Sequence, residues 1–284
     1  MTKIGLNAYM CDDRTNTYES IMDHYKYLKH RVYEYSDDLK IQYEIGRDTI
    51  AVAESGLDFN ARFKTKDRLM AASEFAHLDL NCWLFVVENR LSEMLSAIGR
   101  SDESIQFKDL ANNRKTLINK YFFDEGQGIY VDYHLSDGTH SHIVTAASLY
   151  PHAMGITKDK ESALKVFKQL ELECGVSTAA YRDEKQYYQW DYPVMWGETA
   201  FIVFLALLNV GEIESAKRIM NKYMSTVEKQ FEKTGLLWEK YDARDGSIMN
   251  VEYDAPPFMG WTASTYEIFV LEGVEIKLPY IKII

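Results

Sequence analysis

The chain has 284 residues, 46% of them hydrophobic, enough to bury a substantial core and too many for a disordered segment. Its 43 acidic against 32 basic residues leave a formal net charge of −11, which argues against nucleic acid or an anionic membrane surface as partner. Cys11, Cys82 and Cys174 form no CxxC pair and no His-flanked metal spacing, which argues against a disulfide scaffold and for a reducing compartment. The longest apolar run, Ala200–Leu208, is shorter than the roughly 18 residues a membrane span needs. The N-terminal Met1–Gly5 carries no signal-peptide apolar segment. A soluble cytoplasmic protein is the expectation.

Residues 17–36 and 38–54, rich in Tyr and charge, are predicted as two helices of weak amphipathic spacing. A stronger helical period follows over 74–98, where Phe75, Leu78, Cys82, Phe85 and Val86 recur at three and four. Leu110, Leu117, Ile118, Tyr121 and Phe122 continue that period to about residue 122. The stretch from Gly128 to Tyr133, then Ser136-Asp137-Gly138, has the composition of a small β-hairpin-like insertion near 128–145. Helices resume near 158–172, 194–210, 212–232 and 258–272, the last stopping at Gly273, and Ala200–Leu208, apolar all round, must be buried on several sides. The pattern gives about eight helices and almost no strand. With only five prolines and no linker, a single all-α domain over 1–284 is expected.

Two carboxylates stand in short polar-aromatic contexts far apart: Asp58 within Glu54–Phe63, and Glu239 within Leu237–Asp242. Between them, Gln189-Trp190-Asp191-Tyr192-Pro193-Val194-Met195-Trp196 holds too many aromatic and polar groups together to be ordinary core. Asp191 near a helix cap and Pro193 in its first turn make structural sense, but that leaves Gln189 and both Trp unexplained. Carboxylates ringed by Trp, Tyr, Gln and Asn suit glycosidic bond cleavage. One acid protonates the leaving oxygen, another carboxylate activates water, and aromatic faces hold the sugar. His134, His140 and His142 cluster near a turn, but no carboxylate or Cys pattern completes a ligand set, so no metal is expected. No Gly-rich phosphate loop occurs, so no cofactor is expected either.

Taken in order, these segments resemble the trehalases, inverting glycosidases that split α,α-trehalose into two glucoses. The family reads Ser-Gly-Trp-Asp-Phe-Ser-x-Arg-Trp, Asp-Leu-Asn, Gln-Trp-Asp-x-Pro-x-x-Trp, Glu-Lys-Tyr-Asp, Gly-Glu-Tyr and Gly-Trp-Thr. This chain has Ser55–Phe63, Asp79-Leu80-Asn81, Gln189–Trp196, Glu239–Asp242, Glu252-Tyr253 and Gly260-Trp261-Thr262. The resemblance implies an (α/α)6 barrel, with Asp58 as general acid and Glu239 as general base. It also implies substrate contacts at Glu19, Gly56, Arg62, Asn81, Gln189, Trp190, Asp191, Trp196, Glu252 and Trp261.

Departures are specific. Leu57 and Phe63 replace tryptophans, and Thr17-Tyr18 stand where the family has Arg-Pro before the residue matching Glu19. Met195, Gly197 and Glu198 replace smaller or proline residues around Trp196. Nothing in the chain matches the family's Pro-Gly-Gly-Arg-Phe signature, which precedes the point corresponding to Leu6. An incomplete barrel is therefore expected, with apolar faces such as Tyr25, Val32 and Ile41 left to self-association or to a partner chain. Two further readings stand beside trehalose hydrolysis: a catalytically silent sugar-binding or regulatory domain, and an inverting glucosidase acting on a related α-glucoside.

Overall fold

A computed structural model describes residues 33–35, 42–44, 57, 60–66, 71–184, 188–257 and 260–273. The helices predicted for 17–36 and 38–54 are replaced, where described, by two antiparallel strands: β1 (Tyr33–Tyr35) and β2 (Gln42–Glu44), with Glu34 opposite Tyr43. Both triplets alternate Tyr with a polar residue, a two-residue period that suits a strand, and Tyr favours strands over helices. The rest of those two segments, including Tyr25, Val32 and Ile41, lies outside the described residues.

The helices otherwise follow the sequence closely. Helix α1 spans Leu78–Ala97 and α2 Ser101–Tyr121, forming a hairpin whose turn passes through Gly99 at φ 79°, a left-handed value that costs glycine nothing. The N-cap residue His77 makes no side-chain capping bond; Asp79 Oδ1 accepts from the Leu80 N–H at 2.8 Å, and Asp132, from beyond α2, accepts from the Leu78 N–H at 2.9 Å. Inside the hairpin Arg114 donates to both carboxylate oxygens of Glu88, at 2.8 and 2.7 Å, and to Asn81 Oδ1 at 2.9 Å. That planar fork locks the two helices in one register.

The hairpin-like insertion is present as two-residue ladders. β4 (Phe123–Asp124) pairs β5 (Ile129–Tyr130), while β6 (Tyr133–His134) turns back to pair β3 (Phe75–Ala76). Two of the three histidines there are occupied structurally: His134 lies between Asp137 and Glu74, and His140 Nε2 contacts the Tyr121 carbonyl, while His142 is exposed. Among the described residues no group of His, Cys, Asp or Glu is arranged to hold a metal.

A short helix α3 (Tyr150–Ala153) precedes α4 (Lys160–Leu170), whose N-cap Asp159 accepts from the Ser162 N–H at 3.2 Å. Helices α5 (Gly197–Asn209) and α6 (Ile213–Thr234) form a second hairpin, turning at Gly211 with φ 80°, and α7 (Gly260–Gly273) packs beside them. As its composition requires, α5 is buried nearly all round, against α3, α6 and α7, with Phe204 and Tyr223 meeting the Phe269 ring at 5.0 and 5.7 Å. The expected start at residue 194 is corrected: Val194–Trp196 is strand β7, paired antiparallel with β8 (Lys240–Asp242). Nor does Asp191 cap a helix after it. Its side chain turns back to the Ala61 N–H at 2.8 Å, the first residue of a 3-10 turn over Ala61–Phe63.

Met195 on β7 fills the space over Gly175 so fully that a Cβ on Gly175 would overlap its sulfur. Gly175→Ala should therefore destabilise the protein by about 1–3 kcal/mol, as overpacked cores do. Met195→Ala should cost less in the Gly175→Ala chain than in wild type, since it vacates the contested volume, so the double variant should lose less than the sum of the two single losses. Chemical denaturation of the two single variants and the double variant checks this; an unchanged midpoint in Gly175→Ala would contradict it.

Candidate active site

Three segments far apart in the chain converge. Asn60 accepts from the Arg62 N–H at 2.8 Å and donates from Nδ2 to the Trp190 carbonyl at 2.7 Å. With Ala61 held by Asp191, this fastens residues 60–62 to residues 190–191. Residues 194–196 then pair with 240–242, Trp196 opposite Lys240, so that Glu239 emerges at the end of β8 beside the first turn of α5. Only Lys240-Tyr241-Asp242 alternates polar with apolar residues, Val194-Met195-Trp196 is apolar throughout, and three residues are too few to read as a strand.

The aromatic residues form a graded wall. Trp190 and Trp196 are buried and stacked, 4.1 Å apart at 17°, and Trp261 leans on Trp196 at 5.8 Å. Trp261 is 40% exposed, so the outermost indole alone offers its surface to a ligand. Gly197 permits this approach, because a Cβ there would come within 2.9 Å of the Trp261 carbonyl and of the Tyr223 hydroxyl. Gln189 closes the wall from the other side: its carbonyl accepts from the Trp196 indole N–H at 2.9 Å, and its Oε1 accepts from the Tyr253 hydroxyl at 2.7 Å.

Charge is concentrated at one corner. The fully buried Lys240 donates from Nζ to the Val251 carbonyl at 3.2 Å, stands 3.6 Å from Glu239 Oε2, and lies 3.4 Å from the centre of the Tyr253 ring. Burial pulls the Lys240 amine below its usual range, while Glu239 and Glu252 oppose that shift. Glu252 is exposed and sits at φ 61°, a left-handed conformation that costs a non-glycine residue about 1 kcal/mol and is typically retained at functional positions. Burial raises Asp191 to about 7, although the Ala61 and Tyr188 backbone N–H groups favour its ionised form.

Not every residue expected to contact substrate lies on an open surface. Arg62 is fully buried, donating to both oxygens of Asp79 at 3.1 and 2.9 Å, with Asp132 at 3.6 Å. Asn81 is buried in the Arg114–Glu88 cluster and donates from Nδ2 to the His77 carbonyl at 2.8 Å. Both are placed to hold the segments that carry the site. Glu19, Gly56 and Asp58 lie outside the described residues. Leu57 and Asn60, which flank Asp58 in the chain, are both buried.

Two residues near the site are not among those the sequence singles out for a role. Trp83 on α1 is 43% exposed and edge-packed on Tyr150 at 6.1 Å. Its off-face position between Cys82 and Leu84 was the available signal. Glu198, in the first turn of the apolar helix α5, was the other. Trp83, Trp261, Leu57, Tyr150 and Glu198 help to line a cavity of about 310 Å³ whose remaining described walls are apolar. Burial raises Glu198 to about 8, with the neighbouring Glu239 charge adding to the shift.

Among known proteins, the chain is 29% identical over 227 residues to the periplasmic trehalase of Escherichia coli, an alignment that spans 77% of this chain and 40% of that relative. The chain thus spans about two-fifths of the length of the curated relatives it matches. Those relatives are periplasmic by name, which overturns the cytoplasmic expectation. Sparse cysteines argue against a disulfide framework, but they do not identify a compartment. In three dimensions the chain resembles the neutral trehalase of Saccharomyces cerevisiae, with a TM-score of 0.58 at 22% identity over 74% of this chain and 40% of the other. It also resembles a mannosylglycerate hydrolase from Thermus thermophilus, with a TM-score of 0.55 at 15% identity over 70% and 46%. These likenesses bear on the fold, and with the seven described helices they identify an all-α, incomplete (α/α)6 barrel. The family model described as Trehalase matches residues 2–273, nearly the whole sequence, and the chain belongs to the trehalase family.

Proposed function

We propose that this chain is a glycoside hydrolase that converts α,α-trehalose into two glucoses with inversion at the attacked carbon. The observation that carries this reading is the convergence of three motif segments: 60–62 on 190–191, and 194–196 on 240–242, leaving Glu239 beside a wall of indoles. In the proposed reaction Glu239 takes a proton from water as its oxygen bonds to the anomeric carbon. Asp58, assigned by its motif, gives a proton to the departing glycosidic oxygen on the opposite face. Trp261 supports the apolar face of a sugar ring, while Gln189, Glu252 and the buried Asp191 hold the surrounding hydrogen-bond frame. Gly56 and Glu19 complete the proposed contacts, and Trp190, Trp196, Arg62 and Asn81 support the wall from behind. The ligand is a small neutral carbohydrate, and the reaction as written calls for no cofactor.

The test is glucose release from trehalose by the purified chain. Activity that falls at least a hundredfold in Asp58→Asn supports the assignment; unchanged turnover in that variant removes Asp58 from the mechanism. The second reading, a sugar-binding domain without turnover, draws on the 40% coverage of the relatives and on the mainly apolar cavity wall. Trehalose binding by calorimetry, with no glucose released, would favour it. Self-association, or a partner chain that completes the barrel, is part of this proposal. Light scattering at micromolar concentration tests it, with a monomer of 33.0 kDa as the contrary outcome.

A further inference from the structure

Glu198 is the charged residue of this region with the least accounted-for side chain. Both its carboxylate oxygens are closed off from solvent, and apart from its own backbone N–H neither has a hydrogen-bond partner among the described residues. Glu239 Oε2, which couples to it electrostatically, is likewise buried without a hydrogen bond, with only the Lys240 ammonium 3.6 Å away. Two carboxylates with unused hydrogen-bonding capacity thus interact electrostatically, and one of them, Glu198, lines the mainly apolar cavity. Burying an unpaired carboxylate is expensive, and burying two that repel each other is worse. A proton on one of them relieves both costs, and it also converts that group from a pure acceptor into a donor.

We propose that Glu198 is a positioning residue for Glu239: it holds a proton in the working state, so that Glu239 is the lone negative charge of the pair, and offers its O–H to the oxygen that Glu239 deprotonates. This rests on the hydrolytic reading above. No bond to Glu198 forms or breaks during turnover; the proton taken from water goes to Glu239, and Glu198 keeps its own.

The surroundings agree with that assignment. The groups that interact electrostatically with Glu198 are Glu239, Tyr150 on α3 and Tyr223 on α6, and burial pushes both tyrosines well above their usual range. Among the described residues no cation is paired with Glu198; Lys240 is engaged with Glu239, the Val251 carbonyl and the Tyr253 ring. Burial therefore sets its ionisation, raised to about 8. The sign follows directly. A carboxyl with a raised folded pKa is protonated at neutral pH, so the working state is lost as pH climbs through about 8.

Two readouts on the full chain decide the matter. The first requires no activity: infrared difference spectra between wild type and Glu198→Gln across pH 6–9 should show a protonated carboxyl stretch at pH 7 that titrates away near pH 8. The same band in Glu239→Gln should titrate at least half a pH unit lower, because the neighbouring charge is gone. The second is the pH profile of kcat on trehalose. Wild type should lose activity on the alkaline side with a midpoint near 8. Glu198→Gln, permanently neutral and still a donor, should keep kcat within about tenfold and move the limb away from 8 to the value set by the general acid Asp58, whereas Glu198→Ala should lose most of the activity. A band that survives in Glu198→Gln, or that is indifferent to Glu239→Gln, overturns the proposal whether or not the chain hydrolyses trehalose. An alkaline limb unchanged in Glu198→Gln overturns it as well. A wild type that shows the titration but splits no glycoside refutes the hydrolytic reading, and with it the role assigned to Glu198 in turnover.

Discussion

Glu239→Gln should lower trehalose turnover about 10²–10⁴-fold, the usual contribution of a positioned general base, with KM changed far less. The substitution keeps the shape of the side chain and removes only its ability to take a proton. Its structural effects oppose one another. Lys240 loses the carboxylate 3.6 Å from its ammonium, which leaves a buried cation with the Val251 carbonyl and the Tyr253 ring. Glu198, in turn, is relieved of a neighbouring negative charge. The melting temperature should therefore stay near that of wild type, so that lost activity cannot be attributed to unfolding. Steady-state kinetics together with a thermal scan checks both halves. A variant within tenfold of wild-type kcat would remove Glu239 from the role of base.

Arg62→Met should cost about 3–5 kcal/mol of stability, the penalty for stranding a buried charge partner. The Arg62 guanidinium is fully buried, forks onto both oxygens of Asp79 at 3.1 and 2.9 Å, and has Asp132 at 3.6 Å. Burial opposes its positive charge, yet the two carboxylates more than offset this and hold the guanidinium charged. Asp79 carries the converse strain, because burial pushes it above the usual carboxylate range and Arg62 restrains it. Without Arg62, ionised Asp79 faces Asp132 in the buried interior with no guanidinium between them to offset their repulsion. The folded state then favours a protonated Asp79 more strongly, and stability should fall as pH rises above the unfolded value of about 3.9. The deficit should accordingly be larger at pH 8 than at pH 5. Adding Asp79→Asn to Arg62→Met should recover part of the loss, which a double-mutant cycle in denaturant measures. Simple additivity of the two changes would mean that the pair is not coupled.

These two residues also mark where the sequence was readable and where it was not. Glu239 stood out because an acid beside Trp, Lys and Tyr is an unusual composition, and the role proposed for it rests on those residue types. Arg62 and Asp79 occur in equally distinctive motifs, but residue type does not reveal which way a side chain points. A sugar-binding arginine and an arginine buried between two carboxylates have the same sequence signature. The long helices α1, α2 and α6 were legible because their apolar spacing repeats over several turns, and α5 because of its continuous apolar run. Strands of three residues, such as Val194–Trp196 and Tyr33–Tyr35, hold no full pattern, and their pairing partners lie up to 48 residues away or in a segment read as helix. Glu198 was hidden for a further reason: its meaning depends on Glu239, on a different element, and on a cavity that only the packing of α1, α3, α5 and α7 creates.

The central claim is inverting hydrolysis of trehalose, and the most direct measurement is the anomeric composition of the first glucose released, followed by proton NMR before mutarotation equilibrates it. Inversion converts the attacked ring to β-glucose, while the leaving ring departs with its own anomeric bond untouched as α-glucose. The account predicts equal amounts of the two anomers at the earliest times, and release at least a hundredfold slower in Glu239→Gln. Initial release of α-glucose alone would mean retention, and so a nucleophile in place of a water-activating base, which would contradict the assignment built on Glu239.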